Sequence, residues 1–233
     1  MSRERPTGKV RQEKLRVGVL ASGRGSNLQA IIDAIEAGRL DARITVVLSN
    51  KKDAQALDRA RRHGLTDVFF DPKPYAGQTD SSEAYDRAVL EVLRKYDVEL
   101  VLLAGYMRFV TPVLISAYHN RIMNIHPSLL PAFPGLEVQK KAVDWGAKIA
   151  GCTVHFVTEV VDEGPIIIQA AVPILEGDSA ETLSARILAQ EHRIYPRAVQ
   201  LYAEGCLRVE GRRVCIAGAS DTGTDALVSP SGK

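Results

Sequence analysis

A strong charge imbalance is missing from this chain. Its 233 residues carry 30 Lys and Arg against 28 Asp and Glu, a formal net charge of +2. So mild a surplus argues against a nucleic-acid surface and leaves a small anionic substrate compatible. Cysteine is scarce. Cys152, Cys206 and Cys215 form no pair at metal-type spacing. An odd count outside any framework argues against a disulfide scaffold and points to free thiols in a reducing compartment. No apolar run reaches membrane-spanning length and no signal-peptide core opens the chain, so a cytoplasmic protein without membrane contact is expected. None of the five histidines has the i, i+4 partner or cysteine neighbours of a metal site, so no metal is expected. His63 falls at a helix end, His119 near a turn, His155 inside a strand and His192 on a helix beside Glu191.

What is present is the pattern of an α/β protein. Hydrophobic residues make up 45% and charged residues 25%, ordinary for a globular chain long enough to bury a sizeable core. Residues 1–14 and 216–233 read as flexible tails, and residues 15–215 as a single domain. Strands are expected at 15–21, 44–48, 67–70, 98–103, 122–126, 149–157 and 166–172, with a small hairpin over 207–216. Helices are expected after Gly25, at 54–63, from Asp80 or Ser81 to about 96, at 112–118, at 137–145 and at 180–201. Glu83 is placed for a capping box, and Pro196 is a point of expected disturbance in the last helix. In the first helix Leu28, Ile31, Ile32 and Ile35 recur on one face, with Gly38 as a stop. Repeated strand–helix alternation implies a doubly wound, mostly parallel sheet covered on both faces, with mixed strands in the C-terminal third. Ligands of such sheets bind beyond the carboxyl ends of the strands.

Four stretches carry chemistry. Asn124 and His126 lie two positions apart at the end of an apolar strand, which Pro127 terminates. A period of two places them on one side, where an amide donor and an imidazole suit a carbonyl becoming an oxyanion. The plainer reading is a strand end with a structural histidine. Between the first strand and first helix, Gly23-Arg24-Gly25-Ser26-Asn27 would aim backbone amides at an anion. Leu28 stands where a dinucleotide fingerprint needs its third glycine, and the second strand ends in Ser49-Asn50 rather than an acid. Both facts argue against a nicotinamide cofactor, and no Gly-Lys-Ser/Thr marks a nucleotide loop. A phosphate monoester fits better. The apolar loop Ala104-Gly105-Tyr106-Met107-Arg108-Phe109-Val110 suits a flat aromatic ligand. Asp162, in the acidic segment from Val157 to Pro165, can approach His126 across the strand ends, where a carboxylate favours imidazolium; the plainer reading is an exposed turn carboxylate.

Gly25-Ser26-Asn27-Leu28-Gln29-Ala30-Ile31, Leu103 to Arg108, Asn124-Ile125-His126-Pro127-Ser128-Leu129-Leu130-Pro131 and Val157 to Pro165 closely resemble the phosphoribosylglycinamide formyltransferase family, folate-dependent enzymes of de novo purine synthesis. The resemblance covers nearly all of residues 15–210, in order. It implies a Rossmann-like formyltransferase fold and transfer of a formyl group from the co-substrate 10-formyltetrahydrofolate to the amine of glycinamide ribonucleotide. It implies Asn124, His126 and Asp162 as the catalytic set, Gly25, Ser26 and Asn27 as the phosphate loop, and Glu191 near the glycinamide. The folate pocket falls on Met107, Arg108, Phe109, Val110 and Asn124, with Val157, Thr158 and Asp162 closing over the pterin. Some relatives carry a folate-contacting Arg where this chain has Ser82, so another cation, or nothing, is expected to replace it. Small molecules are the expected partners, and a homodimer is left open. The competing readings are a formyltetrahydrofolate deformylase, which usually carries an extra N-terminal domain and His-His in place of His126-Pro127, and a non-catalytic phosphate or nucleotide sensor. A tRNA-directed formyltransferase would need a further domain for which the chain has no room.

Overall fold

The computed structural model describes residues 13–77 and 80–218, with residues 227 and 229. Strands and helices alternate in the order β1 (Leu15–Ala21), α1 (Ser26–Glu36), β2 (Ala42–Ser49), α2 (Gln55–Arg62), β3 (Asp67–Phe69), a 3₁₀ turn (Lys73–Tyr75), α3 (Ser81–Lys95), β4 (Leu100–Leu103), α4 (Pro112–Ala117) and β5 (Ile122–His126). They continue with α5 (Val138–Asp144), β6 (Ile149–Phe156), β7 (Ile166–Pro173), α6 (Ala180–Ala203), β8 (Leu207–Glu210) and β9 (Arg213–Ile216). All nine described strands join one sheet, ordered β3-β2-β1-β4-β5-β6-β7-β9-β8. From β3 to β5 the neighbours are parallel, whereas β6 is antiparallel to both β5 and β7. The hairpin β8–β9 docks with β9 parallel to β7. The order of strand addition reverses between β1 and β4, so the crevice beyond their carboxyl ends is the expected ligand site.

Alternation along the strands sorts side chains into two cores. Leu15, Val17, Val19 and Ala21 of β1 pack with Leu28 and Ile31 of α1, Leu57 of α2, Ala142 of α5 and Ile187 and Tyr195 of α6. Leu20 points the other way, to Tyr85, Val89 and Leu93 of α3 and Leu114 of α4. Each fully buried Leu or Ile contributes about 1.5–3 kcal/mol. Tyr195 ties the first core to the sheet by donating to the carbonyls of Leu103 and Met123, at 3.1 and 3.0 Å. Trp145, the chain's single tryptophan, caps α5 and stays 81% exposed.

Several local expectations need correction. Glu83 forms no capping box: Asp80, the N-cap of α3, has φ −114° and ψ 44° and makes no side-chain cap bond. That backbone lies outside the extended region a capping side chain needs, and Glu83 reaches forward to Arg87 at 2.6 Å instead. The capping box sits on α6, between Ser179 and Thr182. Helix α6 runs unbroken through Pro196, whose ring is buried in the packed face of the helix. Strand β9 extends through Ile216, the first residue of the expected C-terminal tail. Apart from Glu13, Lys14, Ile216, Ala217, Gly218, Leu227 and Ser229, both expected tails lie outside the described residues. The Leu130–Pro131 peptide bond is cis.

Candidate active site

On β5, Met123 and Ile125 face the α1–α6 core, which puts Asn124 and His126 on the opposite side with Ile122. On the adjoining β6, Cys152, Val154 and Phe156 face the same α1–α6 core. Thr153 and His155 therefore share a face with Asn124 and His126, and the strand register sets Asn124 opposite His155 and His126 opposite Thr153. Helices α3 and α4 draw none of their core from β6. Loops cover this part of the sheet instead, so polar side chains are admitted. The loop after β5 is pinned where the Leu130 amide donates to Thr153 Oγ1 at 3.1 Å and Gln169 Nε2 donates to the Leu130 carbonyl at 2.9 Å.

Asp162 enters from the loop joining β6 to β7. Its backbone is left-handed, at φ 57°, an uncommon conformation for a non-glycine residue that marks a constrained turn. Gly164 lets the loop fold back, since a Cβ there would lie 1.6 Å from the Phe156 carbonyl oxygen. The carboxylate accepts from the Gly135 amide at 2.9 Å, with Oδ2 3.5 Å from His126 Nδ1 and Oδ1 3.8 Å from His155 Nε2. Its side chain is 8% exposed and that of His126 7%. Asp162, remote in the chain, thus joins Asn124 and His126 of β5 in one cluster around His155 at the rim of the sheet.

His155 completes the cluster, and the strand pattern alone did not single it out. Its Nδ1 lies 2.9 Å from the Phe156 carbonyl and its Nε2 3.2 Å from Asn124 Nδ2. A carbonyl can only accept, so Nδ1 carries the hydrogen and Nε2 is left to accept from the Asn124 amide. Burial holds the imidazole below its ordinary pKa, against the opposing pull of the Phe156 carbonyl and Asp162, and so keeps it neutral. The ring fixes which end of the Asn124 amide faces it, and the second N–H of that amide has no partner among the described residues. His126 is oriented in a similar way. Its Nε2 is 3.0 Å from the Phe133 carbonyl, which leaves Nδ1 as its reactive edge. At 3.5 Å the Nδ1–Asp162 contact is too long for a strong hydrogen bond.

The loop expected to bind phosphate lies at the end of β1, with β4 between it and β5. At sheet spacing the two ends are about 10 Å apart. Gly25 is the N-cap of α1 at φ 70°, and a Cβ there would lie 2.8 Å from the Ala56 Cα. Asn27 Nδ2 donates to Glu191 Oε2 at 2.7 Å, while the buried Asn27 Oδ1 accepts from nothing among the described residues. Burial raises the Glu191 pKa, with the Asn27 bond and the Arg24 charge opposing the shift. Beside the loop a cavity of about 330 Å³ is lined by the cations Arg24, Lys51 and Lys52 together with one carboxylate, Asp53. Ser22 links the neighbouring strand ends: its hydroxyl donates to Asn50 Oδ1 at 2.6 Å and accepts from the Met107 amide at 2.8 Å.

The loop after β4 leaves Met107 63% and Phe109 77% exposed, while Val110 packs against the α3–α4 core and Arg108 lies over the Tyr85 ring. Val157 joins that core from the other side, and Thr158 turns its hydroxyl onto the Val160 carbonyl at 3.2 Å. Cys152 is buried in the α1–α6 core, its thiol pushed up to about 12, chiefly by burial. Among the described residues no three His, Cys, Asp or Glu side chains are grouped to hold a metal ion, and no helix is long and apolar enough to cross a membrane.

Residues 15–199 match the sequence model of the formyl transferase family. The chain is 44% identical over 195 residues to phosphoribosylglycinamide formyltransferase of Escherichia coli, across 84% of this chain and 90% of that protein. The crystal structure of glycinamide ribonucleotide transformylase 1 from Symbiobacterium toebii is similar with a TM-score of 0.85 at 57% identity, over 88% of this chain and 95% of that one. A formyltetrahydrofolate deformylase from Pseudomonas syringae is similar with a TM-score of 0.81 at 26% identity, over 88% of this chain and 66% of that one.

Proposed function

The chain belongs to the formyl transferase family, and from that premise we propose that it moves a formyl group from 10-formyltetrahydrofolate to the amine of glycinamide ribonucleotide, a step of de novo purine biosynthesis. The observation that carries this reading is the grouping of Asn124, His126 and Asp162 around His155, one strand removed from the glycine-rich loop that opens α1. The separation of about 10 Å between the two strand ends suits a ligand whose phosphate and amine lie at opposite ends.

Gly25, Ser26 and Asn27 hold the phosphate through amides at the start of α1. Glu191 and the unpartnered Asn27 Oδ1 present acceptors to the N–H groups of the glycinamide. Met107, Phe109, Val110 and Val157 offer apolar surface to the pterin, with Thr158 at the loop's turn and Arg108 at the pocket's edge. The amine attacks the formyl carbon, and the carbonyl oxygen takes up negative charge. Asn124 donates its free N–H to that oxygen, and His126 donates from Nδ1. Asp162 stabilises the positive charge on the ring while its loose contact leaves the Nδ1 hydrogen available. The amine then loses a proton, the tetrahedral centre collapses, and the folate nitrogen leaves with a proton. His126 and Asp162 lie in the path of that transfer, which bound water completes. No acyl-enzyme is needed, because the amine is already a competent nucleophile.

Incubating the protein with both substrates and following folate absorbance tests the reading. Formyl transfer that depends on the ribonucleotide supports it. Folate turnover without the ribonucleotide would identify a deformylase, and no turnover at all a sensor. The three cysteines are unpaired, which suits a reducing compartment and, on this reading, the cytoplasm.

A further inference from the structure

A cross-strand row joins His126 to a side chain that the proposed chemistry does not use. The register sets His126 of β5 opposite Thr153 of β6, and Thr153 opposite Gln169 of β7. Residues directly opposite in antiparallel strands share a face, so the three side chains form one line. Gln169 commits both hydrogens of its amide within that line. Its Nε2 donates to Thr153 Oγ1 and to the Leu130 carbonyl, each at 2.9 Å. A carbonyl can only accept, so the nitrogen end of the amide must face Leu130. The Leu130 amide donates to the same Oγ1 at 3.1 Å. A hydroxyl has two acceptor positions and one hydrogen. Both acceptor positions are therefore filled, and the hydrogen goes to the Ser128 carbonyl at 2.7 Å.

These bonds grip the root of the loop after β5 by its backbone at Ser128 and Leu130. Further bonds carry the grip along the loop. Ser128 Oγ donates to the Ala132 carbonyl at 2.7 Å, and the Ala132 amide to the Leu129 carbonyl at 3.0 Å. Phe133 follows in a left-handed backbone, at φ 50°, and its carbonyl lies 3.0 Å from His126 Nε2. The group that aims the His126 ring thus sits on a loop whose root is tied to β7, two strands away. Thr153 is fully buried, whereas Gln169 is exposed. A substitution at Gln169 therefore removes no apolar core, and its effect is transmitted through the loop.

We propose that Gln169 is a positioning residue for His126: through Thr153 and Leu130 it sets the loop whose Phe133 carbonyl aims the imidazole. The inference rests on the formyl-transfer reading above and adds to it a residue that need not touch either substrate. Steady-state kinetics with both substrates and heteronuclear NMR of the histidine rings test it, on the wild type, Gln169→Met, Gln169→Glu, His126→Asn and the double variant of His126→Asn with Gln169→Met. Gln169→Met keeps the length of the side chain and loses both donors. Its turnover should fall roughly ten- to hundredfold, the scale of a small misplacement of a reacting group, with both Michaelis constants within about twofold of wild type. Gln169→Glu, whose carboxylate has no hydrogen to give the Leu130 carbonyl, should lose at least as much. The double variant should lose little beyond His126→Asn alone. The ring signals of His126 should be displaced in Gln169→Met. Normal turnover in Gln169→Met, a loss confined to a Michaelis constant, or additive losses in the double variant would overturn the role of Gln169 and leave the reaction standing. A wild type that transfers no formyl group, with the His126 signals still displaced in Gln169→Met, would overturn the reaction and leave the positioning standing. No transfer together with unmoved signals would overturn both.

Discussion

Asp162 sits between two imidazoles that its charge affects differently. His126 gains a counter-charge at 3.5 Å, whereas buried His155 stays neutral and serves Asn124 as an acceptor. Replacing Asp162 with Asn keeps the bond from the Gly135 amide within reach and removes the charge. Steady-state kinetics of Asp162→Asn should show turnover down by about 10²–10³, the cost of losing one charge-stabilising element, with the Michaelis constant for the ribonucleotide nearly unchanged. Near-normal turnover would remove Asp162 from the chemistry. Asn124 and His126 were legible because a period of two at a strand end states their common side outright. Asp162 was reachable through the resemblance of its loop. His155 was not legible, because its place depends on the register that sets it opposite Asn124, and cross-strand register leaves no trace in the spacing of one strand.

At the scale of elements, the start of α1 and the start of α6 make contrasting predictions. Gly25→Ala forces a Cβ into a left-handed backbone and against the Ala56 Cα at 2.8 Å, and the conformation alone costs about 1–2 kcal/mol. The loop must open, so the Michaelis constant for the ribonucleotide should rise about tenfold or more while that for folate holds. A change confined to folate would contradict the assignment of the phosphate. Ser179→Ala removes the capping box of α6, far from any substrate group, and should lower stability by about 0.5–2 kcal/mol in urea titration with kinetics intact. Element types were legible throughout from periodicity, and the strands and helices begin and end within a few residues of expectation. The capping box was sought at Glu83, where the residue types fit and the backbone at Asp80 did not. Side-chain identity alone does not report the dihedrals that a cap requires.

For the molecule as a whole, burial holds both His155 and His192 below their ordinary value of 6.5. A depressed folded value means that the unfolded chain takes up these protons first. The stability is therefore fully present above about pH 6.5 and falls as pH drops through the folded values, by at most about 1.4 kcal/mol per pH unit for each proton. His192 Nε2 has no partner among the described residues, so His192→Gln should retain activity and flatten the decline in urea midpoint between pH 7.5 and 5. An unchanged decline would show that His192 does not contribute to it. The doubly wound half of the sheet could be read from alternation, but the insertion of β9 between β7 and β8 could not. A hairpin declares its own pairing and says nothing of the edge on which it docks. One consequence concerns how unfolding is observed. The lone indole, on Trp145, is already bathed in water in the native state, so its emission should barely shift when the chain denatures. Near-ultraviolet dichroism from the caged phenol rings of Tyr85 and Tyr195 should register the transition instead.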